Sequence, residues 1–167
     1  PASDGLFKLP GRHAHAHPED HLPKIAVATG AIDAMECVLL KMGIDGSEFT
    51  TRTGGGRIHM YRSNGGNMCA VALNSNGNCP RSNQNNISVS SSQLTDNNVN
   101  NGDLYDYDMV LWDCERTDQA RQQQPRRRVR DYVNSGGRFF ASHYARDWLN
   151  YPDTFGEIMS GGNNDLP

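Results

Sequence analysis

No stretch of 18 consecutive apolar residues occurs in the sequence, which excludes a membrane-spanning helix within it. Lysine is scarce, at three residues against thirteen arginines, and the net charge is −3. With a pI near 6.1 the chain lacks the basic footprint of a nucleic-acid-binding protein. There is no Cys-x-x-Cys pair, and no metal or other cofactor is assigned. Apolar residues are also in short supply, at 36% with a mean hydropathy of −0.70, so a sizeable part of the chain is expected to be solvated loop.

That part lies at 62–103. Its 42 residues include 12 Asn, 7 Ser and 4 Gly but only 4 charged side chains, which defines a long polar insertion. At 167 residues the chain suffices for one domain with a real core. We assign 1–21 to an extended linker containing His13, His15, His17 and His21, and 22–167 to a single α/β domain. Pro1 stands where Met would open a chain, and Asn163-Asn-Asp-Leu-Pro167 closes without an element, so a fragment of a longer protein is expected.

Lys24-Ile-Ala-Val-Ala-Thr29 reads as a buried strand running through Gly30 into a helix. Asp33 with Glu36 resembles a capping box, and Gly43-Ile44 fits a left-handed C-terminal cap. Ile32, Met35, Val38, Leu39 and Met42 would form the buried stripe of that helix. Arg57-Ile-His-Met-Tyr61 alternates as a strand with one polar face, leaving His59 half-exposed. Pro125 suits the first turn of a helix reaching about Ser135, and arginines 121, 126, 127, 128 and 130 around it are expected to form a solvated outer face. Gly136-Gly137 then turns the chain into an apolar run.

Two apolar runs end in reactive side chains. Tyr107 to Glu115 closes on Asp113, Cys114 and Glu115, and Val133 to Tyr144 closes on Ser142, His143 and Tyr144. As neighbouring parallel strands they would deliver Cys114 and His143 to one carboxyl edge, where open α/β sheets bind ligands. Three chemistries compete there. Cys114 and His143 could serve as nucleophile and base, with Asp113 or Glu115 as orienting carboxylate and backbone N–H groups after Gly30 stabilising an oxyanion. A Cys37–Cys114 disulfide would instead leave Asp113, Glu115, His143, Tyr144 and Trp148 as a shallow binding cleft. A mixed metal site of His143, Asp113, Glu115 and Cys114 is the third. Cys69 and Cys79 could staple the polar insertion with a second disulfide.

Tyr107-Asp-Met-Val-Leu, Tyr132-Val-x-x-Gly-Gly and the run closing on Ser142-His143 resemble the trehalose-utilisation-protein-like branch of the class I glutamine-amidotransferase-like superfamily. Leu22-Pro-Lys-Ile-Ala, Asp33-Ala-Met-Glu-Cys37, Lys41-Met-Gly-Ile44, Ser47-Glu-Phe49, Gly56-Arg-Ile-His-Met-Tyr61 and Cys114-Glu115 are similar to domains of large bacterial secreted or surface proteins. The resemblance implies a flavodoxin-like three-layer α/β sandwich with a mostly parallel sheet. Catalytic members hold their cysteine in a Gly-x-Cys-x-Gly elbow, whereas Trp112-Asp113 and Glu115-Arg116 flank Cys114. The expectation is therefore a disulfide-stapled, non-catalytic binding or assembly module at an extracellular or cell-surface location. Its partner would be the rest of a larger parent protein, or a surface glycan or peptide.

Overall fold

The computed structural model describes residues 11–13, 21–63, 89–96, 103–115 and 123–149. The polar insertion's 64–88, including Cys69 and Cys79, and the histidines at 15 and 17 lie outside them. In chain order the elements are β1 (Ile25–Thr29), α1 (Met35–Lys41), β2 (Phe49–Thr50), β3 (Ile58–Arg62), α2 (Ser92–Thr95), β4 (Met109–Trp112), α3 (Gln123–Asn134) and β5 (Arg138–Ala141). Short 3-10 turns precede β2 at Gly46–Glu48, precede β4 at Asp103–Asp106 and follow β5 at His143–Trp148.

All five strands run parallel in the order β2-β3-β1-β4-β5, a flavodoxin-like α/β sandwich. Side chains alternate across a strand, so β1 feeds both layers. Ile25 and Val27 join Ile58, Met60, Leu111 and Leu39 of α1, while Ala26 and Ala28 join Tyr61, Val110, Trp112 and α3's Val129 and Tyr132. Both faces are covered, which corrects the expected polar face of β3: His59 is only 3% exposed. Leu94, assigned to the polar insertion, is fully buried in the α3-side core.

The two-residue β2 was missed. It pairs in parallel with β3 across only residues 51–57, where parallel neighbours ordinarily need a longer crossover. Glu48 closes this short return: its Oε2 accepts the Arg57 N–H at 3.0 Å, and its Oε1 accepts the His13 N–H at 2.9 Å. The same carboxylate thus docks part of the segment assigned as linker.

Helix α1 differs from expectation at both its start and its outer face. Ala34 occupies the N-cap and makes no side-chain cap bond, so Asp33 is not a cap. The C-terminal end follows the sequence: Gly43 has φ +100, its N–H bonds Leu40 O at 3.0 Å, and Ile44 N–H bonds Leu39 O at 3.2 Å, a Schellman closure. Glu36, Leu39 and Leu40, spaced i, i+3, i+4, take the inward phase. Ile32, Val38 and Met42, expected to be buried, are exposed at 59%, 44% and 59%.

Gly30 carries β1 into the α1 approach. A Cβ there would lie 2.7 Å from the Cys114 carbonyl carbon and 2.8 Å from Asp113 Cβ, against backbone held in the sheet. Gly30→Ala should therefore lower stability by about 2 kcal/mol in urea denaturation. Gly43→Ala, where only the positive φ is strained and no atom stands within 4 Å, should lose about 1 kcal/mol. A neutral Gly30→Ala would contradict the close approach of β1 and β4.

Candidate functional site

The chain leaves β1 toward β3 and later crosses to β4 on β1's other side, so the strand order reverses between β1 and β4. That switch point is where an open parallel sheet offers a crevice beyond its carboxyl ends. Gly30 to Asp33 approach it from β1, Asp113 to Glu115 from β4, and Ser142 and His143 from β5. The sequence expectation that Cys114 and His143 share this edge holds: Cys114 Sγ lies 3.3 Å from His143 Nδ1.

The crevice itself is filled. The Cys114 carbonyl accepts the Ala31 N–H at 2.9 Å and the Ile32 N–H at 3.4 Å, and the Asp113 N–H bonds the Ala28 carbonyl at 2.9 Å. These Ala31 and Ile32 donors are the groups that sequence reasoning reserved for an oxyanion. Cys114 is fully buried, whereas His143 is exposed on the opposite side of the contact. His143 has φ +43, and among the described residues it is the one non-glycine residue in the left-handed region. Such backbone strain persists only where surrounding structure imposes it. Its ring lies 4.1 Å from that of the half-buried Tyr144.

Asp33 organises this edge although the sequence assigned it to capping. Its Oδ2 accepts the Ser142 hydroxyl and, at 3.3 Å, the Cys114 N–H, joining the β1, β4 and β5 ends through one carboxylate. Neither Asp33 nor Ser142 was among the predicted site residues. The only signal available was Asp33's place three residues beyond Gly30, which helix capping equally explains. Glu36 was also missed; its i−3 spacing from Leu39 put it on the inward phase, and it is fully buried.

The predicted cleft is not assembled as a surface. Asp113, Glu115 and Trp148 are buried at 0%, 3% and 3%, and only His143 and Tyr144 of that set reach solvent. Glu115 Oε1 accepts the Ser63 hydroxyl, and Trp148 packs on Trp112 with ring centroids 4.5 Å apart. The expected Cys37–Cys114 bridge is not formed, since both thiols are free. The reason is rotational phase: Glu36 faces the sheet, leaving Cys37 half-buried beside it, while Cys114 Sγ sits against His143. Burial, then the charge of Glu36, pushes the Cys37 thiol up, with Lys41 opposing. Among the described residues no group of three or more His, Cys, Asp or Glu side chains could hold a metal ion. The mixed set of His143, Asp113, Glu115 and Cys114 therefore does not converge.

Asp113 is the electrostatic exception at this edge. Burial first, then the negative charges of Glu36 and Asp33, raise its carboxyl from 3.8 to about 7, against the N–H groups of Met35 and Gly30. The Met35 N–H reaches its Oδ2 at 3.3 Å, while its buried Oδ1 has no hydrogen-bond partner. No family model, curated protein or solved structure matches the chain.

A raised acid binds a proton in the folded chain that the unfolded chain has released. Asp113 therefore contributes stability that is fully present below pH 3.8 and is lost as pH rises toward about 7, at about 1.4 kcal/mol per pH unit. Asp113→Asn, which keeps the shape without the charge, should flatten that slope in denaturation series between pH 5 and 8. It should also be more stable than the parent at pH 8. Equal slopes in the two proteins would refute the assignment.

Proposed function

We propose that the chain is a non-catalytic module that docks onto a protein partner through the outer face of α1. The observation carrying this reading is the exposure of Ile32, Val38 and Met42. Val38 on α1 and Met42 at its C-cap are one turn apart, with Ile32 in the approach to the helix, so the outer side presents apolar surface while Met35, Leu39 and Leu40 pack on the core. Such a face suits a protein surface better than a glycan, which would need polar groups flanking exposed rings. The partner that fits the sequence reading is another part of a larger bacterial parent protein.

The closed switch point supports the non-catalytic side of this reading. A thiol nucleophile must meet its substrate and an oxyanion must meet donors, yet Cys114 is buried and the Ala31 and Ile32 N–H groups are spent on its carbonyl. We also propose membership in the glutamine-amidotransferase-like superfamily, supported by the quoted motifs and the parallel sheet, and placement outside the cell or on its surface. Burial shields Cys114 from oxidants, so its free thiol is compatible with that placement. A second reading, amide or ester hydrolysis by Cys114 with His143 as base, is favoured by their 3.3 Å contact alone.

The docking face is testable by placing a photo-crosslinking residue at position 42 and, separately, at position 130 on α3 of the intact protein in its source cells. Position 42 should give a discrete cross-linked product, a cross-linked peptide mapped to another segment of the parent protein, that Val38→Glu abolishes, and position 130 should not give that product. No product at position 42, or the same product from both positions, would sink the reading.

A further inference from the structure

On the α3 face of the sheet, away from the carboxyl edge, four side chains form a continuous polar row inside the core. His59 Nε2 lies 3.0 Å from the Gly56 carbonyl, and His59 Nδ1 lies 2.9 Å from Tyr107 Oη. Tyr107 Oη is 2.7 Å from Tyr61 Oη, which is 3.2 Å from Asp103 Oδ2. Asp103 Oδ1 meets Arg52 Nη2 at 2.9 Å near the surface. His59, Tyr61, Tyr107 and Asp103 are 3%, 0%, 5% and 8% exposed, so water does not replace any of these contacts cheaply.

Counting hydrogens leaves two protonation states for the row. A carbonyl only accepts, so His59 Nε2 must carry the hydrogen facing Gly56. Three contacts then remain between Nδ1 and Asp103, and the two phenols supply only two hydrogens. The third comes either from Nδ1, making an imidazolium, or from Asp103 Oδ2, making a neutral acid. At His59 burial opposes positive charge most strongly, with Lys24 and Arg57 acting in the same sense against the Gly56 hydrogen bond and Asp106, and Lys24 Nζ stands 5.1 Å over the Tyr107 ring. At the other end burial, the largest influence, and Asp106 oppose a negative charge on Asp103, while Arg52, a hydrogen bond donated by Tyr61 and Lys24 favour one. The Arg52 side chain is 45% exposed and its attraction is screened; Oδ1 can accept from it while Oδ2 keeps a proton.

We propose that His59, Tyr107, Tyr61 and Asp103 form a one-directional proton wire that rests in its uncharged state. In it Asp103 Oδ2–H donates to Tyr61, Tyr61 to Tyr107, Tyr107 to His59 Nδ1, and His59 Nε2–H to Gly56. Moving one hydrogen along each contact, with every O–H broken as the next N–H or O–H forms, takes the Asp103 proton to His59 and leaves an ion pair. The wire is thereby an acid–base device that couples the 51–57 return and the Asp103–Asp106 turn to the sheet. Burial acts in the same sense on both ends, lowering His59 from 6.5 and raising Asp103 from 3.8.

The test uses pH 5, where an ordinary imidazole is charged and an ordinary aspartate ionised. Nitrogen and carboxyl-carbon NMR of the labelled protein should show His59 as the neutral Nε2–H tautomer and Asp103 as the protonated acid. In Asp103→Asn, the amide N–H replaces the acid as donor to Tyr61. This variant should keep His59 neutral, unfold at the parent's denaturant midpoint at pH 5, and exceed it at pH 8, where the parent acid is drawn toward ionisation. A charged His59 or an ionised Asp103 in the parent at pH 5 would overturn the proposal. So would an Asp103→Asn midpoint below the parent's at both pH values.

Discussion

The Cys114 carbonyl accepts two N–H groups from the turn that leaves β1, and the carboxyl edge of the sheet is arranged around that closure. Glycine at position 30 permits it, because any Cβ would collide with the same carbonyl group. Once β1 and β4 are drawn together, the Asp33 carboxylate can reach both the Cys114 N–H and the Ser142 hydroxyl. The thiol beneath is then buried, with His143 held over it in a left-handed backbone conformation. An open sheet usually leaves its switch point free for a ligand. Here the backbone of the protein itself occupies it.

Burial of polar groups recurs on both layers, by different means. Asp113 lies on a crowded acidic edge beside Glu36 and Asp33, which favours its neutral form near neutral pH. On the α3 side, His59 and Asp103 are joined through two phenols, and complete pairing requires a defined number of hydrogens. The apolar surplus of the sequence, already small, is spent on the two faces of the sheet. The short helix α1 meets its share of that core with Leu39 and partly with Met35 and Leu40, and leaves Val38 and Met42 outside.

Several features were legible in the sequence because they are local. The β-branched run at Ile25–Thr29, the Gly43-Ile44 closure and the glycine turn before Arg138 each follow from neighbouring residues. Bringing Cys114 and His143 together followed from the parallel arrangement of two apolar runs. What failed depended on contacts between distant segments. Asp33 looks like a cap until Ser142, 109 residues away, is seen to claim it. His59 reads as half-exposed until α3 and the Leu94 turn cover the second face. The Cys37–Cys114 bridge was allowed by topology and failed on helix phase, which Glu36 revealed by its spacing from Leu39.

Whether the switch point is closed chemistry or poised chemistry is most directly read from the two thiols. Non-reducing peptide mapping after timed alkylation of the native protein compares Cys37 with Cys114 in one sample. The closed edge predicts that half-buried Cys37 is labelled while Cys114 stays unlabelled until the chain is unfolded, with His143→Ala leaving Cys114 protected. Rapid labelling of Cys114 in the native protein, slowed by His143→Ala, would contradict the account and establish an activated thiol.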